Sequence, residues 1–507
     1  MVAIQLDRDK PLPLARQIQV QLERLIGERL LAPGVKLPAT RELAKTLGVN
    51  RATVALAYEE LVAAGWARAH VGQGTFVAVP PNGASTPPAA AAPRPPVDWA
   101  GLFSRSAAII AAEEERRRPA LVPPSDAISF AGGIPDSGLF PIDAFRRVIN
   151  EVIRDEGEAV LQYYPVGGYP PLRRYIAAYL LRFGLEARPE QIVIVNGSQQ
   201  GFDLIARTFI DPGDVVAIEQ PTYPRALQVF RAFGAQPLAT PWDTEGPRVD
   251  ALERLLERHA AKLFYCQPSA HNPTGLTIGG ERRQRLLETA ARHQVPVVED
   301  GFDGSLYYGE RPAAPLKAAD RDGLVIYIGT FSKILFPGLR LGWLVAAPPV
   351  VDRLQAAKQL TDLHTSALIQ AAVHRFCERK LLDRHLTRIA AEYARRRGVL
   401  LAALARRMPA EVTWTEPRGG FSLLVTLPAP LSAASLLPRA LERGVAYTPG
   451  SAFFVDGGGE RTLRLSFSAL PTARIDEGVR RLADTIRHAQ KHPARPLAHE
   501  RVSVPVV

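Results

Sequence analysis

The sequence predicts a multi-domain protein, a small and mostly α-helical head followed by a large α/β body, on three observations. Its 507 residues exceed what one ordinary core organises. A dense run of prolines interrupts residues 80–98, and beyond it strand-like and helix-like blocks alternate. With 47% hydrophobic and 22% charged residues, the chain can fill packed cores and lacks a disordered composition. Lys and Arg outnumber Asp and Glu by 62 to 51, and the balance of +11 suits either a polyanionic partner or plain solubility. The two cysteines, Cys266 and Cys377, are too few for a disulfide framework and point to a reducing compartment. The first ten residues hold charges and no apolar segment, which argues against a secretory leader. The apolar stretch 421–438 is broken by prolines, so no membrane partner is expected and the location is expected to be cytoplasmic.

Proline fixes φ and lacks a backbone donor, so PPNGASTPPAAAAPRPPVD suits neither helix nor central strand. It reads as a semi-rigid spacer extended at about 3.1 Å per residue. The expected division is a head at 1–79, a Pro/Ala-rich linker at 80–125 with a helix near 106–118, a body at 126–490 and a tail at 491–507. Strands are expected at Ile192–Asn196, Val215–Glu219, Leu263–Gln267, Val295–Glu299 and Leu324–Gly329, separated by helix-period segments, which implies a mostly parallel sheet.

In the head, Ile18, Leu22, Leu25, Ile26 and Leu30 recur at helical spacing. Thr40 is expected to cap a second helix buried through Leu43 and Leu47, and Gly48 to end it. Asn50 then caps a third, whose face is Val54, Tyr58, Leu61 and Val62. Two short helices about a tight glycine turn make a helix-turn-helix, and ARAHVGQGTFVAV adds a hairpin with Arg68 and His70 on one strand face. Helix spacing alone also permits a helical hairpin used for dimerisation. Residues 12–78 resemble the GntR-type winged helix nearly throughout. That resemblance implies double-stranded promoter DNA as partner, contacted by Arg41, Arg51, Thr53 and the wing tip Gly72 to Gly74.

In the body, GTFSKILFPGLRLG follows a strand and offers one amine, Lys333, hydroxyls at Thr330 and Ser332, and Arg340 seven residues on. A carboxylate stands at the end of VPVVED, either Asp300 or Glu299, and an acidic pair there can equally cap a helix. SAHNPTG carries Asn272, a neutral donor or part of a turn. NGSQQG opens a helix where Gly197, Ser198 and Gln199 can present N–H groups to a phosphate. PTYPR offers the flat ring of Tyr223. An amine for an aldehyde, donors for a phosphate, a carboxylate for a ring nitrogen and a flat face are what pyridoxal phosphate requires.

In order and spacing these residues resemble the fold-type I class of pyridoxal-phosphate enzymes, the aspartate aminotransferase superfamily, over about 127–488. The resemblance implies that Lys333 attaches the cofactor, Asp300 pairs with its ring nitrogen, Asn272 bonds its ring oxygen and Tyr223 stacks on it. Ser198, Thr330, Ser332 and Arg340 hold the phosphate. It also implies a homodimer, with Tyr163 reaching the neighbouring phosphate, and places Arg464 where a substrate carboxylate binds. No metal is implied. One position departs: a phenylalanine, Phe302, stands where that class has a hydroxyl-bearing tyrosine, which puts efficient proton transfer in doubt.

Head, proline linker and aminotransferase-like body together resemble the MocR/GabR family of bacterial transcription regulators. This implies a large domain that senses a small amino compound, or the cofactor itself, with Arg225 and Arg464 favouring a ligand that bears a carboxylate. Two further readings stand beside it. One is a working aminotransferase with an accessory DNA-binding head; the other is a structural dimeriser without cofactor. Effector, target genes and half-site spacing are not written in the sequence.

Overall fold

The computed structural model describes residues 4–8, 12–70, 72–79, 97–117, 124–301, 306–310 and 313–492, and these form two units that divide between Leu102 and Phe103. The first unit runs α1 (Leu14–Gly27), α2 (Thr40–Leu47), α3 (Arg51–Ala63), then an antiparallel hairpin of β1 (Ala67–His70) and β2 (Gly74–Val77). Ile18, Leu22 and Ile26, a turn apart on α1, are buried with Val54, Ala57 and Leu61 of α3. Gly48 takes the left-handed conformation, φ 64°, that stops α2, and the Asn50 side chain caps α3 by accepting from Ala52 N at 3.1 Å. Thr40 is not a cap. It is the first helical residue, Ala39 precedes it, and its hydroxyl instead accepts from Arg51 Nε at 3.4 Å. Leu30 lies past the end of α1 and Val62 faces solvent; Ala57 completes the apolar face of α3 in its place.

The second unit opens with helix α4 (Arg105–Arg117), close to the helix expected in the linker. Its central sheet is built from β3 (Ile192–Val195), β4 (Val215–Gln220), β5 (Gln236–Asp243), β6 (Gly246–Pro247), β7 (Ala261–Cys266), β8 (Val297–Asp300), β9 (Val325–Thr330) and β10 (Gly342–Val345). The spatial order is β3-β10-β9-β8-β7-β4-β5-β6. It is parallel except that β10 runs against both its neighbours and β6 against β5. β5 and β10 escaped the sequence reading because QPLATPWD carries two prolines and GWLV is too short to show a period.

Both faces of the sheet are covered. Tyr265, Val298 and Ile326 pack with Phe202 of helix α5 (Gly197–Phe209) and Phe230 of helix α6 (Pro224–Ala232). Phe264, Val297 and Val325 pack on the opposite face with Leu286 and Ala290 of helix α7 (Gly280–Arg292). Burial on two faces explains why these strands read as continuous apolar runs. A second, antiparallel sheet holds β11 (Thr413–Trp414), β12 (Ser422–Thr426), β13 (Thr448–Pro449) and β14 (Thr462–Ser466) in the order β11-β12-β14-β13.

One buried cation fastens the segment between β7 and α7. Arg283, 4% exposed, donates through Nε to Ile278 O at 2.9 Å and through Nη1 to Ala314 O at 2.8 Å. Its Nη2 reaches Pro268 O at 2.7 Å and Ser269 Oγ at 2.8 Å. Burial lowers its pKa, with Glu299 opposing that shift. Replacing the guanidinium with an apolar chain strands these carbonyls, so Arg283→Met is expected to cost at least about 3 kcal/mol. Urea unfolding of the full chain measures this, and an unshifted midpoint would mean the segment is held by other contacts.

Candidate functional site

Open α/β sheets place ligands beyond the carboxyl ends of their strands. Here the ends of β3, β4, β7, β8 and β9 converge beside a cavity of about 420 Å³. Its wall contains Ser198, Gln199, Tyr223, Arg225, Asn272, Asp300, Thr330, Ser332, Lys333, Arg340 and Arg464, so residues spread over 267 positions of sequence meet at one place. Gly133, Ile134, Pro337, Phe421 and Ser422 complete the wall. None of these five is singled out in the sequence, although Pro337 stands within GTFSKILFPGLRLG, between Lys333 and Arg340.

At one end, α5 begins immediately after β3. Gly197 has φ +76°, which favours glycine, and a Cβ there would fall 2.6 Å from Arg340 Nη2 and push that guanidinium aside. Arg340 is itself left-handed, φ 50° and ψ 52°, and donates from Nη2 to Asn196 O at 3.3 Å. A non-glycine residue in that region costs about 1–3 kcal/mol and clusters at ligand clamps. Thr330 ends β9, its hydroxyl accepting from Ser332 N at 3.1 Å, and Lys333 Nζ donates to Gly133 O at 2.8 Å.

The pair at the end of β8 divides cleanly, because successive strand residues face opposite ways. Glu299 points away from the cavity and accepts from Leu316 N and Lys317 N, both at 2.8 Å, capping the short helix Leu316–Ala319. Burial pushes its pKa up, with Arg283 pulling the other way. Asp300, 1% exposed, faces the cavity and accepts at Oδ2 from Tyr265 Oη at 2.9 Å and Gln267 Nε2 at 2.7 Å. Burial, reinforced by Asp300, holds the Tyr265 phenol well above its usual range and therefore protonated.

Across the cavity, β14 delivers Arg464, 1% exposed. Its Nη1 donates to Asn272 Oδ1 and its Nη2 to Thr448 Oγ1, each at 3.2 Å, while Nε is buried without a partner. Among the described residues no carboxylate contacts it, and burial pulls its pKa down to about 10. The Phe453 ring lies 5.1 Å from its guanidinium carbon. Tyr223, at the start of α6, has its phenol pushed up to about 12, first by burial and then by Asp300. Among the described lining residues, four cations (Arg225, Lys333, Arg340, Arg464) face one carboxylate, Asp300.

Some expected residues lie elsewhere. Tyr163 is 77% exposed, with its ring edge on His364 at 6.0 Å, and does not line the cavity of its own chain. Phe302 lies outside the described residues. In the head, Arg41 and Arg51 are exposed, Thr53 is half-buried, and Gly72 and Gly74 form the hairpin tip with φ of 78° and 109°.

Residues 126–482 match the aminotransferase class I and II family, and residues 14–77 match the bacterial regulatory proteins of the gntR family. Aromatic-amino-acid aminotransferase 1 of Thermococcus litoralis is 40% identical over 403 residues, 78% of this chain and 97% of that one. The crystal structure of LysN, the alpha-aminoadipate aminotransferase of Thermus thermophilus complexed with N-(5'-phosphopyridoxyl)-L-leucine, superposes with a TM-score of 0.72 at 39% identity. It covers 78% of this chain and 100% of that one. The probable rhizopine catabolism regulatory protein MocR of Rhizobium meliloti, by contrast, is 32% identical over 496 residues, 97% of each chain. The chain belongs to the MocR-type transcriptional regulators. Such a regulator carries a DNA-binding GntR head and a fold-type I body in one polypeptide.

Gly197 in this MocR-type regulator provides a test of how tightly the cavity is built. Gly197→Ala is expected to lose about 1–3 kcal/mol from the positive φ alone and to displace Arg340. Thermal unfolding, with Gly279→Ala as the control at a position that has open space and no positive φ, checks it. Equal effects at the two sites would show that Arg340 does not confine residue 197.

Proposed function

We propose that this MocR-type regulator is a pyridoxal-phosphate-dependent transcription factor of the cytoplasm. It would act as a homodimer and sense a small amino compound bearing a carboxylate. The observation that carries the reading is the cavity with its four cations against one carboxylate, in a chain that matches regulators from end to end. A phosphate and a carboxylate on one bound assembly would neutralise that excess. The residues fit the cofactor: the Gly197 turn leaves room only for a guanidinium, and the buried Arg464 Nε lacks an acceptor. The two cysteines are buried and free, and among the described residues no helix is long and apolar enough to cross a membrane.

When bound, pyridoxal phosphate supplies an aldehyde for amines and an electron-withdrawing ring. Lys333 is then the anchoring amine. The N–H groups of Gly197, Ser198 and Gln199, the hydroxyls of Ser198, Thr330 and Ser332, and Arg340 hold the phosphate. Asp300 would keep a proton on the ring nitrogen, Asn272 would bond the ring oxygen and Tyr223 would offer its ring as a flat face. Arg464 pairs with the effector's carboxylate, and Arg225 adds a second cation beside it. Tyr163, exposed on its own chain, is available to the phosphate of a second copy.

One contact inside the large unit bears on this reading. Helix α4 packs on α6, which follows Tyr223 and carries Arg225 in its first turn. An effector changes DNA affinity only by its difference in binding to two arrangements, typically about 1–3 kcal/mol.

Arg51→Ala should weaken binding to a target promoter at least tenfold in a mobility shift and leave the cofactor's absorbance unchanged. A spectral change as large as the affinity change would tie Arg51 to the body. Arg464→Ala should retain the cofactor yet lose the response to amino acids, read by titrating a panel against promoter affinity; an unaltered titration would remove Arg464 from the effector site. The intact set of Lys333, Asp300 and Arg464 around one cavity favours a second reading, a working aminotransferase. Repeated turnover of amino and keto acids, with no effect on DNA binding, would establish that reading and overturn the first.

A further inference from the structure

Gln267 follows β7 directly and is 1% exposed, yet it does not line the cavity. Its Nε2 donates to Asp300 Oδ2 at 2.7 Å, and its Oε1 accepts from the backbone N of Asn272 at 3.1 Å. Its own backbone N donates to Glu219 Oε1 at 2.6 Å. Glu219 is wholly buried. Its Oε2 accepts from Trp242 Nε1 at 3.1 Å, and His271 Nε2 lies 3.4 Å from Oε1 with its ring stacked on Trp242 at 4.1 Å. One amide thus bridges the carboxylate at one side of the cavity and the Asn272 segment at the other, and is pinned from behind by a buried carboxylate. Asn272 in turn accepts from Arg464.

Resting on the cofactor reading above, we infer that Gln267 is a positioning residue that fixes the spacing between Asp300 and Asn272. It thereby sets the protonation equilibrium of the ring held between them. A pyridine nitrogen keeps its proton only while the facing carboxylate stays ionised and in line. The Gln267 amide favours that state because it donates to the carboxylate, and an amide has no charge of its own to compete. Its other end holds Asn272 by the main chain, so the two groups cannot drift independently. Gln267→Glu removes the donor and sets a second carboxylate against Asp300, where one of the two must hold a proton. Gln267→Met removes both hydrogen bonds at nearly constant length.

The ionisable groups near Asp300 are Tyr223, Tyr265, Tyr327 and Cys266, all held protonated by burial first, together with Lys333 and Arg464 of the cavity wall. Glu219 and His271 lie behind Gln267. None of these is altered in either variant.

The test uses the full chain loaded with pyridoxal phosphate and follows the bound cofactor's visible absorbance as a function of pH, beside its dissociation constant and thermal unfolding. Gln267→Glu is expected to move the titration midpoint by about one unit or more, and Gln267→Met to move it measurably, with cofactor retained and weakened about tenfold. Midpoints equal to wild type in folded, loaded variants would overturn the inference and reduce Gln267 to a packing residue. Should either variant not fold, Glu219→Met, which removes the acceptor for the backbone N of Gln267 while touching neither Asp300 nor Asn272, is expected to shift the midpoint in the same sense, and no shift there would overturn it. A wild-type chain that gains no visible band with added pyridoxal phosphate would instead sink the cofactor reading.

Discussion

Surplus positive charge at the ends of a parallel sheet is the constraint on which this structure depends. Four cations share a cavity wall with one carboxylate, and the deepest of them, Arg464, is fully enclosed. A buried guanidinium held by two neutral acceptors retains a desolvation penalty that those acceptors do not offset. The depression of its pKa to about 10 expresses that penalty directly. A fold tolerates such a site when a ligand anion completes it, so the electrostatics of the wall suit an anionic ligand.

Keeping that charge in place takes a second layer of polar groups that never touch the cavity. Glu299 and Asp300 are chain neighbours with opposite duties: one caps a helix behind the sheet, the other faces the site. Arg283 ties Pro268 and Ile278, the two flanks of the segment that carries Asn272. Gln267 and Glu219 pin the start of the same segment. Asn272 is therefore held from both ends and through its own side chain, which suits a group whose geometry relative to Asp300 has to be constant.

What could be read from the sequence was whatever local chemistry constrains. Gly48 and Asn50 stand two positions apart in one turn, and both take the expected conformations. Lys333, Thr330 and Ser332 stand on one strand-to-turn segment, where spacing alone limits what they can do together. The choice between Glu299 and Asp300 needed the strand's facing, which register fixes and a six-residue window does not. Thr40 had the right side chain for a cap, but the helix begins one residue earlier than its capping position requires, and tertiary contact with Arg51 takes the hydroxyl. Gln267 and Arg283 were invisible because their partners come from segments brought together only by the sheet. The one available hint was the position of Gln267 just past a strand end, where α/β folds concentrate their sites.

What a ligand in the cavity can do to helix α6 is limited by mechanics. Helix α6 spans nine residues, about 13 Å at the usual rise per residue, with Ala226, Leu227 and Phe230 buried under it. A short helix seated on these side chains and on the buried Pro224 moves as a rigid body or not at all, since interiors at crystal-like density do not deform smoothly. Tyr223 precedes its first turn, Arg225 lies within it, and α4 packs against the same helix, so a ligand that touches either residue lies one helix away from α4. The same rigidity bounds any response: a ligand that binds two states of a protein equally well shifts neither, however tight its grip. On the sensing reading, selectivity would lie less in a carboxylate, which any amino acid presents, than in what the remainder of the ligand touches on this helix.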